Sequence, residues 1–193
     1  SSGMASAPTH HDWIAVISYG GSSNHLVARL IRACQVYCEV WPHTALREVL
    51  ARQPKGIVLC GGEASGSDEG AAPVDPTLFD VGVPVLGIGH GLHAMVEALG
   101  GRVVAGSEPG YGRARLTLLK RDRLFAALED EAGGGIVVWM SYAHLIDELP
   151  PGFEATAKTD IAPIAAVRHS EARLFGVQFH PESVLTPQGI TII

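Results

Sequence analysis

Three short apolar runs in the first half of the chain each end on glycine: "WIAVISYGG" (Trp13–Gly21), "GIVLCGG" (Gly56–Gly62) and "VPVLGIG" (Val83–Gly89). Runs that short, with no polar alternation, read as strands buried on both faces. Helical segments of about ten residues separate them. "NHLVARLIRAC" places Leu26, Leu30 and Ala33 on one helical face, and "TALREVLARQ" follows the further strand "VYCEVW". "HGLHAMVEALGG" (His90–Gly101) is a helix opened by the third glycine turn and closed by Gly100 and Gly101. Strands linked through helices must run parallel, and a parallel sheet needs cover on both faces. The expectation is a three-layer α/β domain with its ligand site at the carboxyl ends of the parallel strands.

After Arg102 the rhythm changes. "RARLTLL", "GIVVWMS", "FEATAKT", "PIAAVRH" and "RLFGVQF" are strand-like with few helices between them, which predicts an antiparallel extension of the same domain. "EASGSDEGAAPVDP" (Glu63–Pro76) reads as a long flexible loop. The segment 1–12, which begins "SSGM", reads as a tag or disordered leader, leaving 13–193 as one domain.

Charge and composition exclude several classes. The net charge of -6, with no Lys/Arg cluster, argues against nucleic acid as a partner. No apolar run approaches the ~20 residues of a membrane span. Cys34, Cys38 and Cys60 are odd in number and lack metal-ligand spacing, which fits a reduced, cytoplasmic setting. Nothing in the sequence calls for a cofactor. "GIGHGLHAM" fails as a dinucleotide fingerprint, because the third glycine is misplaced and the strand is the fourth rather than the first.

Three motifs in fixed order, "GIVLCGG", "VPVLGIGHGLHAM" and "GVQFHPES" (Gly176–Ser183), resemble the class I glutamine amidotransferases. "HLVARLIRACQVYCEVWP", "VWMSYAH" and "LPPGFEATAKTDIAPIAAV" resemble the glutaminase domain or subunit of the GMP synthase subgroup. The resemblance covers Trp13 to Ile193. It implies a flavodoxin-like fold, a mostly parallel sheet with an antiparallel extension, and a cysteine nucleophile that releases ammonia from glutamine. It further implies a histidine base with an orienting carboxylate, here His180 and Glu182, which can share one side of an extended segment. Backbone donors for the oxyanion would come from the turn at Gly61 and Gly62 and from His90.

The nucleophile position falls on Gly89. Family elbows read glycine, any residue, cysteine, any residue, glycine; this one reads Gly87, Ile88, Gly89, His90, Gly91. His93 stands where glutamine is common, Glu63 where proline is usual, and Tyr142 and His144 replace the histidine and aspartate of "WMSHGD". With Ser141 beside them, these residues form the candidate substrate site. Cys60 as a substitute nucleophile weighs less than Cys60 as a small buried hydrophobe. His90, His93, His144, His180 and Glu182 weigh more as polar residues around a wet pocket than as metal ligands.

The expectation is a chain that is not a working glutaminase, with its pocket repurposed for other small-molecule chemistry through His180 and Glu182. The alternative is a catalytically silent subunit with a structural or regulatory role toward an ATP-dependent synthetase partner. A deliberately disabled glutaminase ranks last, because several pocket positions differ. The partner expected is a small-molecule ligand, glutamine-like or divergent, whereas a purely structural subunit would associate with a synthetase and bind no small molecule.

Overall fold

In the computed structural model the described residues are 12–19, 24–33, 36–61, 74–106, 111–120, 136–141 and 143–180. Cys34, Gly62, Glu63, Tyr142 and Glu182 lie outside them. The first half runs β1 (Ile14–Ser18), α1 (Asn24–Ala33), β2 (Cys38–Pro42), α2 (Leu46–Ala51), β3 (Gly56–Cys60), β4 (Val85–Ile88) and α3 (His90–Ala98). The second half, among the described residues, is all strand: β5 (Arg102–Ala105), β6 (Tyr111–Leu118), β7 (Ile136–Ser141), β8 (His144–Glu148), β9 (Phe153–Lys158), β10 (Ala166–His169) and β11 (Leu174–Val177).

These form a nine-stranded sheet in the order β2-β1-β3-β4-β11-β10-β9-β6-β7, and β5 pairs with β8 in a separate two-stranded sheet. From β2 to β11 the pairings are parallel; from β11 to β7 they are antiparallel. "RLFGVQF" therefore sits differently from the sequence expectation. It becomes β11, which returns to the parallel half and pairs with β4 (Gly176↔Gly87, Val177↔Ile88). A strand's own pattern gives its burial but not its neighbour, and this neighbour is what carries the C-terminal motif to the elbow.

Side chains alternate between the two sheet faces, as a period of two requires. Val16, Val58, Cys60 and Ile88 face α1, whereas Ala15, Ile17, Ile57, Leu59 and Val85 face α2 and α3. Helix α1 turns Val27, Ala28 and Ile31 inward and leaves Leu26 exposed. The inward stripe is thus not the Leu26–Leu30–Ala33 face. Six apolar residues in ten offer two competing stripes, and the fit to the sheet chooses between them. Helix α2 is only six residues, preceded by a 3-10 turn at His43–Ala45. At the β2 edge, Arg52 makes two hydrogen bonds to Glu39, at 3.0 and 2.8 Å, and lies over the rings of Trp13 and Trp41.

Helix α3 packs closest. A Cβ on Gly91 would stand 2.1 Å from the Leu59 carbonyl oxygen, so no other residue fits without moving helix or strand. Leu92, wholly buried, fills the space over Gly176, where a Cβ would meet its Cδ1 at 2.2 Å. Leu92→Ala should cost about 2–5 kcal/mol of stability, since facing glycines cannot collapse into the cavity. Urea unfolding would measure it, and a loss under about 1 kcal/mol would mean that α3 is not seated by this contact.

Candidate functional site

The site begins where β4 turns into α3. Gly89, at the N-cap of the helix, has φ 57° and ψ -117°, a backbone that side chains adopt only under strain of ~1–3 kcal/mol. It is held from both sides: its N–H donates to the Val177 carbonyl at 2.9 Å, and its own carbonyl accepts from His93 N–H at 3.1 Å. Glycine relieves the strain. Among the described residues, space is not the reason for glycine here: a Cβ at position 89 would meet only Cε1 of His180 within 4 Å, at 3.5 Å.

His180 arrives from the far end of the chain. It lies three residues beyond β11, and its backbone N–H donates to the Trp139 carbonyl at 2.8 Å. The parallel pairing of β11 with β4 thus brings two motifs about ninety residues apart in sequence into van der Waals range.

A small cleft, partly open to solvent, is lined by Gly89, His90, His93, Ser141, His144, Gln178 and His180. It sits beyond the carboxyl ends of β4 and β11. Of the residues singled out from sequence, Gly89, His90, His93, Ser141, His144 and His180 meet there. Gly61 follows β3 with φ 89° and is not among the lining residues. Glu182, Gly62 and Tyr142 fall outside the described residues, as does Cys34. Cys60 is buried in the core on the α1 side, with Sγ 3.9 Å from the Ile17 carbonyl.

Gln178 is the residue that sequence reasoning missed. It is 2% exposed, and its Nε2 donates to the carbonyls of Ser141 and His144, at 3.3 and 3.0 Å. Two carbonyl acceptors fix which end of the amide is nitrogen. The group ties β7, β8 and β11 together under the cleft. A lone polar residue inside the apolar "LFGVQF" was the available signal.

His93 is the most unusual side chain of the group. It is 6% exposed, and neither ring nitrogen has a hydrogen-bond partner. Burial, then the nearby His90 and His144, holds its pKa down at about 3, so the ring is neutral at physiological pH. Gln178 faces it and opposes that shift, without reaching hydrogen-bond geometry. The His90 ring lies edge-on to His93 at 5.9 Å and 6.4 Å from His144. Among the described residues no group of three His, Cys, Asp or Glu is placed to hold a metal ion, and no helix is long and apolar enough to cross a membrane.

The model of the family glutamine amidotransferase class-I matches residues 15–193. The glutamine-hydrolysing GMP synthase of Heliobacterium modesticaldum is 43% identical over 187 residues, covering 95% of this chain and 35% of that protein. That of Thermobifida fusca is 39% identical over 192 residues, covering 98% of this chain and 36% of that protein. The chain therefore spans about a third of the length of these curated relatives. A candidate GMP synthase subunit from Thermoplasma acidophilum shares the fold with a TM-score of 0.77 at 23% identity, covering 95% of this chain and 91% of that one. A glutamine amidotransferase from Thermotoga maritima does so with 0.71 at 18% identity, covering 90% and 77%.

The depressed His93 pKa has a consequence for stability. The folded protein keeps the ring neutral, while the unfolded chain protonates it below 6.5. Its contribution is fully present above that pH and is lost as pH falls toward 3. Wild type should therefore lose about 1.4 kcal/mol more per pH unit than His93→Gln below pH 6.5. Urea titrations of both proteins from neutral to acidic pH would measure the difference, and parallel curves would show that His93 is not held neutral.

Proposed function

We propose, for a chain that belongs to the class I glutamine amidotransferase family, that it is a glutaminase-type module without its nucleophile, whose elbow cleft serves a different small-molecule ligand. Gly89 carries this reading. Its backbone would aim a side chain at His180, 3.5 Å from Cβ to ring, yet glycine offers no atom to react. A thiol one bond further out would stand within reach of the imidazole, the arrangement that activates a cysteine. Without it no thioester forms, and glutamine hydrolysis by that route is absent.

The state of His93 supports a ligand over simple decay. A buried ring with two unsatisfied nitrogens is costly, and relaxation without selection would replace or expose it. In the repurposed cleft His180, oriented by Glu182, acts as general base toward water or a substrate proton. His90 and His93 bind or polarise the ligand, with Ser141 and His144 lining the same cleft. The turn at Gly61 and Gly62 and the side chain of Tyr142 complete the proposed binding set.

A second reading rests on the relatives. Identity of 43% across 95% of the chain, to a protein of which it spans 35%, favours a silent GMP-synthase-type module with a structural or regulatory role toward an ATP-dependent synthetase. Both readings place the protein in the cytoplasm, where the buried Cys38 and Cys60 stay reduced.

Intact-mass analysis of the wild type and Gly89→Cys with an electrophilic glutamine analogue separates the two, with Cys60→Ser controlling for stray thiols. No adduct on folded Gly89→Cys is the result expected for a repurposed cleft. A single adduct on that variant alone would favour the silent glutaminase. Wild type should release ammonia from glutamine only at background rate, and release that vanishes in His180→Ala would overturn the loss of glutaminase activity.

A further inference from the structure

Among the described residues, no side chain caps the start of helix α3 and no carboxylate stands in its first turn. The N-cap is Gly89. Nine aligned peptide units place roughly half a positive charge there, next to amide donors. Most helices answer this with a capping oxygen or a carboxylate. Among the described residues, no carboxylate lines the cleft into which this end opens.

The walls are donor-rich. His93 is buried, lines the same cleft, and has one N–H to give and no partner for it. The Ser141 hydroxyl accepts from the Ala143 N–H at 3.3 Å, which leaves its own O–H to donate. His90, His144 and His180 add imidazoles to the lining. Gln178 contributes no donor, since its amide nitrogen is committed to the Ser141 and His144 carbonyls. Among the described residues, its Oε1 is the one buried side-chain oxygen of this wall without a partner. The empty volume lies over the Cα of Gly89, with Cε1 of His180 bounding it.

We propose that this cleft binds one small monoanion, seated over Gly89 between the start of α3 and His180, taken either as a free ion or as the carboxylate of an organic ligand. The site deepens the reading above by giving its ligand a charge. It rests on that reading only where it takes the volume over Gly89 to be space once meant for a side chain. A water molecule would satisfy His93 but would bring no negative charge to the helix start. Among the described residues, a cation would find no carboxylate on these walls.

Amide and imidazole NMR of the labelled full chain tests this, with sodium bromide and sodium formate as probes up to about 200 mM and sodium sulfate at matched ionic strength to account for screening. The expected result is saturable, one-site shifts confined to Gly89–Leu92 and the rings of His90, His93 and His180, with bromide and formate competing. Tighter binding of formate would assign the site to a ligand carboxylate, and equal or tighter bromide to a free ion. Gly89→Ala, whose methyl enters the volume, should abolish binding; should it fail to fold, Ser141→Ala should weaken binding severalfold. Linear shifts spread over the surface, equal shifts with sulfate, or full affinity in folded Gly89→Ala would overturn the site. The mass experiment on Gly89→Cys reads separately: no adduct without anion binding sinks only this site, and an adduct with anion binding counts against the repurposed cleft while leaving this site standing.

Discussion

Helix α3 rests on the sheet backbone against backbone, and the rest of the site follows from that contact. Because Gly91 has no Cβ, the helix approaches the Leu59 carbonyl more closely than any side chain would allow. The first turn is then fixed in height above β3 and β4, and Leu92 drops between the glycines of β4 and β11. With helix and strand both fixed, the single residue joining them has little choice of conformation. Gly89 is driven to positive φ by its surroundings, whatever its identity. The same seat buries His93 one turn on, with Gln178 beside it and no hydrogen-bond partner.

The glycines of this elbow are therefore of two kinds. Gly91 is a steric necessity, and changing it would move the helix. Gly89 is demanded by dihedral angle alone, with open space where a side chain would stand. A position that is strained for any side chain yet roomy enough for one is a position built to present a reactive group. Such a frame beside His180, with glycine at its strained position, is a distinct physical situation from ordinary loop variation. It is the situation in which a cleft can take a new ligand without rebuilding its scaffold.

Much of this was legible in the sequence because glycine spacing and apolar runs report directly on close approach and burial. The parallel half, the elbow and the convergence of Gly89 with His180 follow from motif order once the family resemblance is seen. Other features depend on choices that no single segment makes. Helix α1 had two apolar stripes, and only the shape of the sheet selects Val27, Ala28 and Ile31. The parallel pairing of β11 with β4, beside its antiparallel pairing with β10, joins segments about ninety residues apart, which no local pattern reports. "VWMSYAH" splits between β7 and β8, which sends His144 into a second sheet while Ser141 stays in the first. Gln178 hid in an apolar strand because its amide spans three elements, and that is visible only after they meet.

The electrostatics of the cleft then follow from burial more than from charge count. The chain is acidic overall, at -6, yet the described walls around Gly89 carry imidazoles, a hydroxyl and a helix start. His93 cannot answer that by protonating differently: it is already neutral, pressed there by desolvation and by His90 and His144. What remains along the cleft is a set of imidazoles, a hydroxyl and a helix start. Oriented dipoles need no proton uptake to bind negative charge, and in a partly dry cleft they lose little to solvent screening. A site of this kind discriminates by the charge and size of what fits over Gly89. Its selectivity for a ligand is then set by the absence of one side chain as much as by the presence of the others.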